Sequence, residues 1–112
     1  MNHRPLRVGQ LIRDEVSALL EREVEVPDAL LTVTEVLVDK KLEHAKIGVS
    51  ILPAEKSNEA LRALRKVQGT FQYLLMKKIN IKPMPRIEFV IDHGLEHAAH
   101  IEKILLKGEN NE

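Results

Sequence analysis

The stretch LRKVQGTFQYLLMKK, residues 64–78, carries Arg65, Lys66, Lys77 and Lys78 with no acid among them. Arg62 precedes it and Lys82 follows it. Guanidinium and ammonium groups at this density are phosphate-binding chemistry. The wider segment 56–86 holds eight lysines and arginines against Glu59 alone, a net of +7, while the chain as a whole is formally neutral. Such segregation makes a local field that the total hides, and it points to a polyanionic partner. The simpler alternative is a solvated helix face without a ligand. A second cluster, His93, His97 and His100 beside Asp92, has spacing that could suit zinc on a helix. "HGLEH" does not supply the HExxH of a metalloprotease, so surface histidines are expected, with no metal and no cofactor. Glycines at 9, 48, 69, 94 and 108 are scattered and form no phosphate loop, and Ser17, Ser50 and Ser57 stand in no nucleophile motif. An enzyme is therefore not expected.

The basic residues need a helix to present them. On a wheel of 100° per residue, Leu61, Leu64, Val67, Phe71, Leu74 and Leu75 form one stripe. Arg62, Lys66, Gly69, Tyr73 and Lys77 fall opposite, with Arg65 and Met76 at the edge and Lys78 nearer the stripe. Gly69 costs a helix about 1 kcal/mol relative to alanine. It suits a bend that would open backbone N–H groups to phosphate, or tight packing against a neighbour. Tyr73 offers a stacking surface for an unpaired base, or packs under the N-terminal segment.

The remaining elements follow from periodicity. Residues 5–21 read as an amphipathic helix burying Val8, Leu11, Ile12, Val16, Leu19 and Leu20, with Pro5 in its first turn and Pro27 beyond its end. Residues 30–38 and 44–52 read as strands joined by the short DKKLEH, hence an antiparallel pair. Ala45, Ile47, Val49 and Ile51 alternate with Lys46, Gly48 and Ser50, so one sheet face is packed and the other wet. Ser57 or Asn58 caps the basic helix pair, RIEFVID (86–92) gives a third strand, and Asp92 caps a last helix over roughly 94–106. The 112 residues suit one domain, residues 1–106, followed by a disordered polar tail, 107–112. The absence of cysteine excludes a disulfide framework. No apolar run approaches the roughly 20 residues of a bilayer span, and MNHRPLRVGQ has no apolar secretion core, so a cytoplasmic protein is expected.

The order α-β-β-α-(Gly)-α-β-α resembles the bacterial type II KH fold, an α+β domain with helices on one face of a three-stranded sheet and, here, an additional C-terminal helix. Its GxxG loop is absent. The stretches RPLRVGQLIRDEV, LLTVTEVLVDKKLEHAKIGVSIL, VQGTFQYLLMKKINIKPMPRIEFVID and HIEKIL resemble the ribosome-binding factor A family over residues 4–106. In that family an Ala-x-Gly kink joins two central helices; here the matching residues are Val67, Gln68 and Gly69, with valine in place of alanine. Asp39, Lys40 and Lys41 also replace the family's Ser-Pro-Asp, and His93 and Gly94 stand where it often has serine.

The resemblance implies a bacterial, non-catalytic maturation factor. It binds the small ribosomal subunit and its RNA, assists late maturation and 5′-end processing, and matters most in the cold. It implies a maturation GTPase as a further partner, and a protein that is monomeric off the ribosome, with no membrane or small-molecule substrate. The expected RNA-binding residues are Arg62, Arg65, Lys66, Gln68, Gly69, Tyr73, Lys77, Lys78 and Lys82. A reading of another class is a small α+β dimerising or regulatory domain that does not bind RNA.

Overall fold

A computed structural model describes residues 4–93. Helix α1 spans Arg4–Glu23, strand β1 Leu30–Val38, strand β2 His44–Leu52, helix α2 Ser57–Ile79 and strand β3 Arg86–Ile91. The strands form one sheet in the order β1-β2-β3. β1 and β2 are antiparallel, as the short connection requires, and β2 and β3 are parallel, with α2 as the crossover that a parallel pair needs. The architecture is α+β, with both helices contributing to a single core over the sheet. The expected last helix, 94–106, and the polar tail lie outside the described residues.

α1 buries Val8, Gly9, Ile12, Val16, Leu19 and Leu20. Leu11, expected in this stripe, is 48% exposed. It lies about 100° from Ile12 around the helix, outside the arc that meets the sheet. α2 buries Ala60, Leu64, Phe71 and Leu75, and the Phe71 ring meets Phe89 of β3 edge-on at 6.1 Å.

The expected division of the basic segment into two helices is not what the chain does. α2 is one α-helix from Ser57 to Ile79, running through Val67, Gln68 and Gly69. The physical reason is the stripe itself: Leu64 and Phe71 keep one phase on both sides of Gly69 and are both buried. Burying such side chains contributes roughly 1.5–3 kcal/mol each, more than the roughly 1 kcal/mol cost of one helical glycine. The expected cap also differs. A 3₁₀ turn over Ala54–Lys56 leads into α2, and the Ser57 hydroxyl donates back to the Ala54 carbonyl at 2.6 Å rather than accepting a helix N–H. Asn80 closes the helix in the left-handed conformation, φ 56°, a position that asparagine tolerates.

Each outer edge of the sheet is met by a helix. Arg86 and Asp92 donate their N–H groups toward β2, to the carbonyls of Glu43 and Val49. By alternation the N–H groups of Ile87 and Phe89 point to the open side. There Gln72 Oε1 accepts from Ile87 N–H at 2.8 Å, while Gln72 Nε2 donates to the Pro85 carbonyl at 2.8 Å. Gln68 Oε1 accepts from Phe89 N–H at 3.4 Å. On the other edge, a Cβ on Gly9 would sit 3.2 Å from the Val36 carbonyl oxygen, so glycine permits α1 to lie close against β1. Covering edges in this way removes strand-pairing templates.

The β1–β2 turn is held by Asp39. Its Oδ1 accepts from Glu43 N–H at 2.7 Å and His44 N–H at 3.2 Å, and its Oδ2 lies 3.2 Å from His44 Nδ1. Leu42 takes φ 60° in this turn yet is only 8% exposed, so its buried side chain offsets the left-handed backbone. Partial burial acts to raise the Asp39 pKa; the two backbone hydrogen bonds and His44 outweigh it and bring it below its ordinary 3.8.

Two measurements check these assignments. Gln72→Ala leaves the Ile87 N–H of a buried residue without its acceptor and should destabilise by about 1–3 kcal/mol in urea unfolding. Gln68→Ala, whose bond is longer, should cost less. For Asp39 the folded pKa is depressed, so its contribution is present above the unfolded value and is lost as pH falls through the folded one. The stability difference between wild type and Asp39→Asn should therefore be largest near neutral pH and close below pH 3.8. A difference that does not change with pH would exclude the carboxylate as its source.

Candidate nucleic-acid interface

Because α2 is unbroken, residues three and four apart stack on one face along its whole length. Arg62, Lys66, Gly69, Tyr73 and Lys77 follow this spacing, and all five are exposed. They form a ridge of about 22 Å at 1.5 Å per residue. Arg65 and Met76 flank it, and both are exposed. Glu59, the one acid of α2, sits in its first turn with Oε1 4.0 Å from Lys56 Nζ, away from the cations of the ridge. Within α2 itself, then, no carboxylate stands among the ridge cations.

Tyr73 is not covered by the described part of the N-terminal segment; it is 53% exposed, and Lys77 Nζ lies 5.3 Å from its ring centroid. This cation–π contact holds the lysine against one side of the tyrosine. Gly69 is also in the open. Among the described residues a Cβ built there meets nothing within 4 Å, so none of them is the close neighbour that the tight-packing alternative requires. Gly69 lies inside one continuous helix rather than at a junction between two.

Lys78 and Lys82 are exposed as well, but neither belongs to the ridge. Lys78 turns toward α1, and Lys82 lies in the loop before β3. Gln68 is placed differently from the expectation: half-buried, it faces β3 rather than solvent, and Gln72 beside it does the same. A glutamine on the flank of an amphipathic helix can face either way, and the unpaired N–H groups of the edge strand decide the direction. His93 is exposed, while His97 and His100 lie outside the described residues.

Sequence reasoning did not find the groove that continues from the ridge. It lies between the second half of α1 and the last two turns of α2, with a volume of about 340 Å³. Leu19, Leu74 and Leu75 line it together with Lys77 and Lys78 from α2 and Glu15 and Arg22 from α1. Arg22, Lys77 and Lys78 stand in the last turns of their helices, where they also oppose the negative ends of the helix dipoles. The available signal was Arg22, a lone base at the end of α1, but nothing in the sequence joins it to Lys78.

A sequence profile of the family described as ribosome-binding factor A matches residues 4–105. The ribosome-binding factor A of Opitutus terrae is 37% identical over 106 residues, covering 94% of this chain and 87% of that protein. That of Halothermothrix orenii is 35% identical over 111 residues, covering 97% and 91%. Among known structures, the crystal structure of ribosome-binding factor A from Thermus thermophilus superposes with a TM-score of 0.58 at 26% identity, covering 80% of this chain and 91% of that one. A homology model of the Thermus thermophilus factor, fitted into a cryo-electron microscopy map of its 30S complex, shares the fold with a TM-score of 0.58 at 24% identity, covering 81% and 93%.

The environment of Gly69 makes a direct prediction. With ordinary helical backbone and open space around it, Gly69→Ala should stabilise the protein by about 1 kcal/mol, read from urea unfolding. Destabilisation would mean that the glycine is required by the fold.

Proposed function

Since this chain belongs to the ribosome-binding factor A family, we propose that it is a non-catalytic assembly factor for the small ribosomal subunit, docking on RNA through the α2 ridge. The observation that carries the site assignment is the unopposed line of cations on one exposed helix face. Arg62, Lys66 and Lys77 recur along that face and contact phosphates, with Arg65, Lys78 and Lys82 at its margins. Phosphate contacts position a protein without reading sequence. Gly69 contributes by having no side chain: at the middle of the ridge the RNA backbone can approach the helix more closely than beside any other residue. Tyr73, already backed by Lys77, presents its remaining face to an unpaired base. Gln68 is left out of this interface because it serves β3.

On this reading the protein acts on late precursors of the small subunit, supports folding and 5′-end processing of their RNA, matters most in the cold, and is released with the help of a maturation GTPase. It works in the bacterial cytoplasm and is a monomer when free. Family membership and the 30S complex of the Thermus thermophilus factor support the partner. The ridge supports the means of binding.

Co-sedimentation with isolated small and large subunits over a salt series tests the proposal. About five neutralised phosphates give a log–log slope of roughly −3.5 to −4.5 with the small subunit. Combining Lys66→Ala with Lys77→Ala should reduce the slope by about 1.5 and weaken binding while leaving folding intact. Unchanged binding in the double variant would refute the ridge as the interface. Equal pelleting with both subunits would refute the specificity.

A further inference from the structure

The α1–α2 groove lies where the ridge ends, and Lys77 belongs to both. Its composition differs from that of the ridge. Its apolar part is the half-buried Leu74 above the almost wholly buried Leu19 and Leu75, and Arg22, Lys77 and Lys78 bring three cations to its lining, Arg22 with the exposed Glu23 at 3.9 Å. Glu15 is the one acid there. Among the described residues neither Glu15 nor Lys78 makes a hydrogen bond or ion pair, so both are available to a ligand. The groove thus sets a small apolar part beside cations and one carboxylate. It matches the parts of a single nucleotide: a flat apolar base with polar edges, and phosphates on either side. A volume of about 340 Å³ is at the lower end of small-molecule sites, which run roughly 300–1,000 Å³, and suits one nucleotide rather than a stack.

We propose that this groove receives one nucleotide splayed out of the RNA bound on the ridge, and that the nucleotide is a guanosine. The base lies against Leu74 and its flanking phosphates pair with Lys77, Lys78 and Arg22, the last exchanging its solvent-exposed Glu23 partner for phosphate. Glu15 selects the base. A carboxylate accepts hydrogen bonds only, and the Watson–Crick edge of guanine offers two adjacent donors, N1–H and N2–H, to its two oxygens. Uracil offers one donor between two carbonyl oxygens, which the carboxylate repels. The ridge holds phosphates without reading sequence; the groove adds a reading element at the ridge's end. This inference rests on the proposed RNA binding and goes beyond it by assigning a second site, a base and the residue that chooses it.

The test uses the full chain and two five-nucleotide RNAs, UUGUU and UUUUU, titrated into isotope-labelled protein and followed by amide chemical shifts. UUGUU should bind about fivefold more tightly and shift Leu19, Arg22, Leu74 and Lys78 as well as the ridge. Glu15→Gln should bring the preference below about twofold, weakening UUGUU while UUUUU, freed from the carboxylate's repulsion, binds at least as well as to wild type. Replacing guanine by inosine, which lacks the N2 amino group, should reduce the preference in wild type in the same direction. Equal affinity for the two RNAs, or shifts confined to the amides around Arg62 and Lys66, would overturn the groove proposal and leave the ridge standing. If neither RNA binds and small subunits fail to pellet the protein, the RNA-binding reading falls and the groove proposal falls with it.

Discussion

The structure depends on α2 remaining one straight-phased helix. Its inner face supplies Leu64, Phe71 and Leu75 to the core; its flank supplies Gln68 and Gln72 to the backbone of β3; its outer face carries the cations. These three duties fall on residues three and four apart, so a change in helical phase midway would disturb all of them. A two-helix arrangement would have to satisfy the N–H groups of Ile87 and Phe89 by other means, because an orphaned backbone donor beside buried residues is costly. The glutamines therefore act as a register lock between the helix and the edge strand. They also explain how a short strand, Arg86–Ile91, stays in place at the edge of the sheet, with one side on β2 and the other on side chains of α2.

Much of this was legible in the sequence because it depends on periodicity. The strands at 30–38 and 44–52 announce themselves by β-branched residues and alternation, and the short turn between them admits only an antiparallel pair. The apolar stripe of α2 was legible for the same reason, and with it the outward placement of Arg62, Lys66, Tyr73 and Lys77. What was not legible depends on contacts between elements distant in sequence. Gln68 reads equally well as an exposed polar residue until β3 is placed beside it. The glycine suggested a division into two helices because propensity scales treat each residue alone; the flanking buried side chains keep one continuous helix. Leu11 was misplaced for a related reason. A leucine at the edge of a stripe is buried only if the opposing surface is wide enough to reach it.

Charge is arranged on the same helix with a similar economy. A ridge of cations repels itself, and that repulsion is tolerable here because the residues are exposed to solvent and screened over roughly 8 Å at physiological salt. Lys77 gains further from the Tyr73 ring. Lys77 and Lys78 oppose the negative end of the α2 dipole, as Arg22 does for α1. The positive field is thus compatible with a stable helix, and it becomes a binding field only when a polyanion releases its counterions to it.

Gly69 is the point at which stability and function part. Nothing among the described residues requires a glycine there: its backbone is helical and none of them comes within 4 Å of a Cβ. Within the fold it is only a cost. At the middle of the cationic ridge, however, the missing side chain leaves a shallow notch between Lys66 and Tyr73, and a phosphate seated there would reach the peptide groups of the helix as well as the lysine. Close backbone approach is the property that glycine alone provides at a ligand surface. Alanine at this position should therefore separate the two quantities, raising stability while weakening attachment to the small subunit, and equal binding by the two forms would leave the glycine without a physical reason on this surface.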